Sequence, residues 1–183
     1  FRKRGLTPIS RSNHGFIART DLLEKYNLSF DNVETIADLE PILQTIKDNE
    51  PGMWPVVAQA APMMVSADWA CDNFGDSNNL GVLMDFGQTL TVTNYYESDF
   101  YRDWVYTMYD WSKKGLIMPD IINATENGSS FIRDGKAFGN FTNLKPGFDV
   151  QTEMQTGMEI SEVHFTRPKT STSNSASICF VVP

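Results

Sequence analysis

The chain has 183 residues, of which 41 % are hydrophobic and 21 % charged; this is the composition of a globular domain and excludes a disordered segment. Fifteen Lys and Arg against 23 Asp and Glu give a net charge of −8, which argues against nucleic-acid binding because phosphate contacts need a concentrated cationic surface. No apolar run approaches the ~20 residues that cross a bilayer.

A short strand and a short helix are predicted near the start of the chain. Residues 15–18, Gly-Phe-Ile-Ala, form an apolar run that favours a strand. The helix predicted over residues 19–26 has Leu22 and Leu23 as its buried side. Asn27 is suited to the left-handed conformation that ends a helix.

The next predicted helix has a recognisable start. Thr35 is suited to cap it, with Asp38 three residues later as in a capping box. Pro41 conflicts with this start because an interior proline removes a backbone hydrogen bond; if Asp38 is the N-cap instead, Pro41 falls in the first turn. The apolar stripe of this helix consists of Ile36, Leu39, Leu43 and Ile46.

Short strands are predicted in the middle of the chain. Residues 54–58 favour a buried strand, residues 62–70 fit no single pattern, and residues 72–79 are typical of a polar loop. Residues 81–85 and 89–93 predict a hairpin, because apolar and β-branched residues flank a glycine turn.

A long amphipathic helix is predicted between residues 97 and 115. Lys113 and Lys114 suit the negative end of the helix dipole. Gly115 can adopt the left-handed conformation that ends the helix, and Pro119 prevents a restart. The apolar face, at three- and four-residue intervals, consists of Phe100, Tyr101, Trp104, Val105, Met108 and Trp111.

The last third of the chain returns to short elements. Residues 125–134 predict a weak helix that Gly128 destabilises, and residues 137–141 predict a strand. Two more strands, at residues 160–166 and 177–182, are joined by a polar loop. Helices interleaved with short apolar strands favour an α/β architecture.

Aromatic residues give a weak indication of sugar binding. Trp104 and Trp111 are expected in the core because they lie on the helix stripe, whereas Trp69 and Tyr95–Tyr96 lie near loop edges and are expected to be more open. An exposed ring beside amides or carboxylates can stack on a pyranose while the polar groups bind its hydroxyls.

Motifs for catalysis and metal binding are missing from the sequence. It contains no Gly-x-Ser-x-Gly elbow, phosphate loop or dinucleotide fingerprint. Asp68, Asp72 and Asp103 are candidates for a glycosidase pair, but their spacing implies no convergence. Cys71 and Cys179 have no metal-ligand spacing and are expected to be buried or half-buried, with a bridge between them as the less favoured alternative.

Four segments occur in an order that is typical of one protein family. They are residues 15–23 (Gly-Phe-Ile-Ala-Arg-Thr-Asp-Leu-Leu), 35–43 (Thr-Ile-Ala-Asp-Leu-Glu-Pro-Ile-Leu), 114–120 (Lys-Gly-Leu-Ile-Met-Pro-Asp) and 131–139 (Phe-Ile-Arg-Asp-Gly-Lys-Ala-Phe-Gly). Together they resemble the extracellular solute-binding proteins of ATP-driven sugar importers, the family of maltose-binding protein, and especially its lipoprotein-type members.

The resemblance implies an α/β fold, one lobe of a type 2 periplasmic-binding-protein fold with a mixed sheet flanked by helices. Residues 1–183 would form a single α/β domain, the excised second lobe of a two-lobe protein, with crossing strands at about residues 5–10 and 176–183. The ligand cleft would be lined by three loops, at residues 10–14, 59–69 and 140–145. The binding residues implied there are Arg11, Asn13, His14, Trp69, Asn143 and Lys145.

The implied function is binding of sugars or oligosaccharides without catalysis, cofactor or metal, by a monomer that delivers its ligand to a membrane permease. The implied location is extracellular, with a lipid anchor on the full-length protein. Phe141 and Asn143 stand where the family has a stacking tryptophan, so the sugar class is not implied. Two alternatives remain open, namely a fragment of a carbohydrate-active enzyme and a non-catalytic interaction module of the cell surface.

Overall fold

A computed structural model describes residues 9–11, 14–58, 71–72, 80–87, 90–123, 126, 128–144, 147–165 and 168–170. Its strands are β1 (Ile9–Arg11), β2 (His14–Arg19), β3 (Trp54–Ala58), β4 (Cys71–Asp72), β5 (Val82–Leu83), β6 (Val92–Thr93), β7 (Ala137–Asn143), β8 (Ile160–His164) and β9 (Pro168–Thr170). Its helices are α1 (Thr20–Lys25), α2 (Glu40–Asn49), α3 (Met84–Gly87), α4 (Asp99–Lys114), α5 (Gly128–Arg133) and α6 (Phe148–Thr156).

A four-stranded mixed sheet forms the centre of the fold, in the order β3-β7-β2-β8. β7 runs parallel to β3 and antiparallel to β2, and β2 runs antiparallel to β8. Phe16 on β2 lies opposite Phe141 on β7 and Val163 on β8, which fixes the register of three strands. The predicted α/β class with a mixed sheet is confirmed.

One face of this sheet is covered by the two longest helices, α2 and α4. Trp104 and Trp111 of α4 are buried there, as their place on the apolar stripe predicts. The Trp111 ring stacks on that of Phe141, with centroids 6.5 Å apart and planes at 20°. The Trp111 Nε1–H donates a hydrogen bond of 2.9 Å to Glu40 Oε2 on α2 and so joins the two helices.

The start of α2 combines the two predicted alternatives. The Thr35 backbone N–H and hydroxyl both donate to Asp38 Oδ2, each at 2.7 Å, and this pair caps a 3₁₀ turn over Ile36–Leu39. The α-helix begins only at Glu40, so Pro41 lies in its first turn, where its missing N–H costs nothing.

The predicted C-terminal end of α4 is confirmed, but the helix begins at Asp99, two residues later than predicted, and its predicted apolar face was too wide. Ser98 Oγ accepts a hydrogen bond from the Tyr101 N–H at 3.1 Å, and Gly115 ends the helix in the left-handed conformation with φ 67°. Val105 is 39 % exposed because it lies at the margin of the stripe. Tyr95, expected to be open, is buried in a small cluster with Cys71, whereas Tyr96 is exposed as expected.

The opposite face of the sheet is covered by α5 and by α6, a helix that no sequence pattern predicted. Ile132 of α5 packs with Ile17 and Val57 of the sheet, and α6 packs against α5 and β8. Gly128 begins α5 and is buried. The Asn140 side chain occupies the space that a larger residue at Gly128 would need, which the sequence prediction did not foresee.

A second, three-stranded sheet has the order β4-β5-β6. β5 and β6 pair antiparallel as predicted, with Val82 opposite Thr93. The predicted simple turn between them was wrong, because the chain enters the helical turn α3 directly after Leu83. Asp72, assigned to a polar loop by its sequence, pairs with Leu83 in β4.

β1 and β9 form a two-stranded antiparallel ladder in which Ile9 lies opposite Thr170 and Arg11 opposite Pro168. This corrects the prediction of a polar loop over residues 167–175, because β9 lies within it. The strand expected at residues 177–182, Cys179 and the ambiguous residues 62–70 lie outside the described residues. Within the part of the chain that the structure describes, no helix is long and apolar enough to cross a membrane.

Candidate functional site

Polar residues meet at one edge of the four-stranded sheet. The parallel strands β3 and β7 both end at this edge, and the antiparallel strand β2 begins there. His14 lies directly opposite Asn143, and the next residue on β2, Gly15, lies opposite His164 at the end of β8. We call this end of the sheet, marked by His14, Asn143 and His164, the polar edge.

The structure brings two of the six predicted binding residues together. His14 and Asn143 are cross-strand neighbours at the polar edge, and Arg11 ends β1, three residues before His14. The loops expected at residues 10–14 and 140–145 are shorter than predicted, because His14 begins β2 and Asn143 ends β7. The other three predicted residues, Asn13, Trp69 and Lys145, lie outside the described residues.

The β1–β9 ladder leaves the sheet at the same edge. Two residues separate the end of β1 from the start of β2 at His14, and three residues separate the end of β8 at His164 from the start of β9. The chain therefore enters and leaves the four-stranded sheet through one pair of hydrogen-bonded strands.

The sequence prediction overlooked a carboxylate–imidazole pair on β8. His164 Nε2 lies 3.3 Å from Glu162 Oε2, and the Glu162 side chain is mostly buried while that of His164 is 42 % exposed. Glu162 Oε1 is buried and has no hydrogen-bond partner among the described residues. The available signal was the polar–apolar–polar order of Glu162, Val163 and His164, which places residues 162 and 164 on one face of a strand.

Asn140 is a buried polar residue on β7, three positions before the polar edge. It lies opposite Ile17 and beside Val57, and it is 1 % exposed. In the described part of the chain its Oδ1 has no hydrogen-bond partner. Its side chain packs against the backbone of Gly128 on α5 and therefore sets how closely that helix approaches the sheet.

A polar cavity of about 200 Å³ lies between α5 and α6 and is lined by Ser129, Ser130, Arg133, Gln155 and Thr156. Arg133 ends α5 four residues before β7 begins, and Thr156 ends α6 four residues before β8 begins. Because β7 and β8 both end at the polar edge, these two residues lie toward the opposite end of the sheet. This cavity is therefore separate from the polar edge.

The carboxylates considered for catalysis do not form a site in the described residues. Asp103 is exposed on α4, 3.8 Å from Arg102, and Asp72 lies in the separate three-stranded sheet. Asp68 lies outside the described residues. Nor do His, Cys, Asp and Glu gather into a group that could hold a metal ion anywhere in the described ranges.

The chain matches no protein-family model and no curated protein sequence. It is similar in structure to NgtS, an N-glycan transport solute-binding protein from Streptococcus pneumoniae solved with Man1GlcNAc, with a TM-score of 0.71 and 20 % identity over 84 % of this chain. The chain spans about a third of that protein, 34 % of its length.

Other solved structures extend this similarity. The alginate-binding protein AlgQ2 has a TM-score of 0.58 with 18 % identity, covering 82 % of this chain and 32 % of that one. Maltose-bound MalE3 from T. maritima has a TM-score of 0.55 with 16 % identity, covering 82 % and 37 %. At these identities the similarity concerns the fold, and the chain has the fold of one lobe of a type 2 periplasmic binding protein.

Proposed function

We propose that this chain is the ligand-binding lobe of an extracellular solute-binding protein that captures sugars or oligosaccharides for an ATP-driven importer, without catalysing a reaction. The observation that carries the proposal is the position of the β1–β9 ladder beside the polar edge. Paired connecting strands next to a row of polar strand ends suit a protein in which a second lobe closes over a ligand held at that edge.

The residue types at the polar edge suit a neutral, hydroxyl-rich ligand. Asn143 and His14 each offer a hydrogen-bond donor and an acceptor, which matches a sugar hydroxyl. Arg11 would lie near the junction of the lobes, and Asn13, Trp69 and Lys145 would complete the contacts. Three proteins similar to this chain in structure have been solved with sugars: NgtS with Man1GlcNAc, MalE3 with maltose, and a sugar transporter from Bacillus licheniformis with stachyose.

In this proposal residues 1–183 act as one domain, and binding works by closure of two lobes. A closed state is selected because only there do both lobes contact the ligand, so one lobe alone supplies part of the binding free energy. The full-length protein would be a monomer held at the cell surface by a lipid anchor, and it would pass its ligand to a membrane permease.

Isothermal titration calorimetry tests the proposal. The full-length protein and the 183-residue chain are titrated with N-glycan fragments, maltose, stachyose and alginate oligosaccharides. We expect the full-length protein to bind one class with micromolar Kd and the isolated chain to bind it at least about 100-fold more weakly, equivalent to about 2.7 kcal/mol.

Variants of the polar-edge residues test whether the ligand binds at that edge. His14→Ala and Asn143→Ala are each expected to raise Kd about tenfold, since each removes one hydrogen-bonding group. Asp103→Asn, at an exposed position on α4, is the matched control and should leave Kd unchanged. The proposal would be wrong if no glycan bound to the full-length protein, or if that protein hydrolysed an aryl glycoside.

A further inference from the structure

We propose that His164 is a ligand-binding residue of the polar edge and that Glu162 is its positioning residue. This inference rests on the proposed function and assigns one side of the same site to β8. It concerns a pair of residues that the sequence resemblance did not point to.

The first argument is placement. His164 is the last residue of β8 and lies opposite Gly15, the residue after His14. Because β2 pairs with β7 on its other side, His14 lies between the ends of β7 and β8, beside Asn143 and one register step from His164. Successive strand residues alternate between faces, so His164 lies on the face of the sheet opposite to that of His14 and Asn143, and the same strand ends offer polar residues on both faces. The chain contains two histidines, and both lie at the polar edge.

The second argument is that the two side chains of the pair are buried to different extents. The Glu162 side chain is 19 % exposed and that of His164 is 42 % exposed. Residues two apart on a strand share a face, so the two side chains are neighbours, and that of Glu162 is the less exposed of the two. This is the arrangement in which a fixed buried group orients an accessible one.

The third argument is the energetic cost of burying the Glu162 carboxylate. A buried carboxylate oxygen without a hydrogen bond is costly, and Glu162 Oε1 has no partner among the described residues. A glutamine or an apolar residue would pack there with less penalty. Retaining a carboxylate is explained by the interaction of its other oxygen, Oε2, with His164 Nε2 at 3.3 Å.

The chemistry that follows is specific. In a neutral imidazole beside a carboxylate, Nε2 carries the proton and Nδ1 keeps a lone pair. His164 then presents an acceptor to the ligand, which suits a hydroxyl donor of a sugar and disfavours a ligand that presents only acceptors, such as a carboxylate. In this neutral form the pair favours neutral over anionic glycans on this side of the site.

Calorimetry on the full-length protein, at pH 8 where histidine is ordinarily neutral, tests the assignment. We expect His164→Ala to raise the Kd for the bound glycan about tenfold and Glu162→Gln to raise it about fivefold. Tyr106→Ala on α4 and Glu153→Gln on α6 are exposed controls and should not change Kd.

A spectroscopic readout separates orientation from folding. The ¹⁵N shifts of the His164 ring are expected to show the Nε2–H tautomer in the wild type, and Glu162→Gln should increase the Nδ1–H form because an amide N–H can donate to Nε2. An unchanged tautomer in Glu162→Gln, or an unchanged Kd in His164→Ala, would overturn the assignment. The proposed function would still stand in that case, provided that the wild type bound a glycan. A wild type that bound no glycan would overturn both.

Discussion

Gly128 at the start of α5 lies directly against the side chain of Asn140 on β7. A β-carbon built on Gly128 would meet the Asn140 amide group, with Oδ1 only 2.7 Å away. Both residues are buried, so neither can move into solvent. The close approach of this helix to the sheet therefore depends on a missing side chain on one element and a small amide on the other.

Gly128→Ala is expected to destabilise the fold, although the same change in a helix is usually favourable by about 0.5–1 kcal/mol. Overpacking should lower the free energy of unfolding by about 1–3 kcal/mol. Urea unfolding measures the change. In an Asn140→Ala background the cost of Gly128→Ala should largely vanish, and equal costs in both backgrounds would contradict the contact.

Gly115 ends α4 with φ 67°, a conformation in which a β-carbon is strained. Gly115→Ala is expected to lower the free energy of unfolding by about 1 kcal/mol, and Gly115→Asn by less because asparagine tolerates left-handed backbone. The asparagine variant is the matched control for added volume, since a β-carbon here also approaches Lys47 Nζ at 2.7 Å. Equal losses in the two variants would point to that contact and away from backbone strain.

Glu40 joins α2 to α4, and its hydrogen bond from Lys114, with a second from Trp111, lowers the pKa of its carboxyl below the ordinary value of a glutamate. A group whose folded pKa is depressed stabilises the fold above its unfolded pKa and loses that effect as the pH falls through the folded value. Wild type should therefore be more stable than Glu40→Gln at neutral pH, and the difference should shrink between about pH 5 and pH 3.

Urea unfolding across that pH range, followed by tryptophan fluorescence, measures the difference between wild type and Glu40→Gln. Glu153→Gln, at an exposed position on α6, is the control for the loss of one negative charge. A gap between wild type and Glu40→Gln that stayed constant from pH 7 to pH 3 would contradict the lowered pKa.

Local patterns were sufficient to predict the elements whose apolar residues face one core. β3 was predicted with its observed ends, and α4 was predicted with its observed C-terminus, because a periodic stripe and a terminal glycine act within one segment. α6 was missed for the opposite reason. Its buried positions are Thr152 and Thr156, whereas its apolar Val150 and Met154 are exposed, so its hydrophobic periodicity gave no helix signal.

The candidate site was predictable only in part, because it depends on pairing between strands far apart in sequence. The polarity of His14 and Asn143 is visible in the chain, but their direct opposition follows from the register of β2 against β7. The same holds for His164, which reaches the polar edge only because β8 pairs with β2. Register of this kind is set by packing of the whole sheet and not by either strand alone.

The opposition of His14 and Asn143 predicts that their contributions to ligand binding are coupled. Residues directly across an antiparallel pair interact, and two groups that bind neighbouring hydroxyls of one sugar share the cost of holding it in place. The double variant His14→Ala/Asn143→Ala is therefore expected to weaken glycan binding by less than the product of the two single effects, with a coupling of about 0.5–1.5 kcal/mol.

The matched cycle pairs His14→Ala with Glu153→Gln, whose effects should be additive because Glu153 lies on α6 and outside the polar edge. Calorimetric Kd values for the four proteins of each cycle measure both couplings. Additive effects of His14 and Asn143 would mean that the two residues contact separate parts of the ligand. The polar edge would then bind an extended chain along the sheet end, because one sugar unit held at the junction of β2 and β7 requires both residues at once.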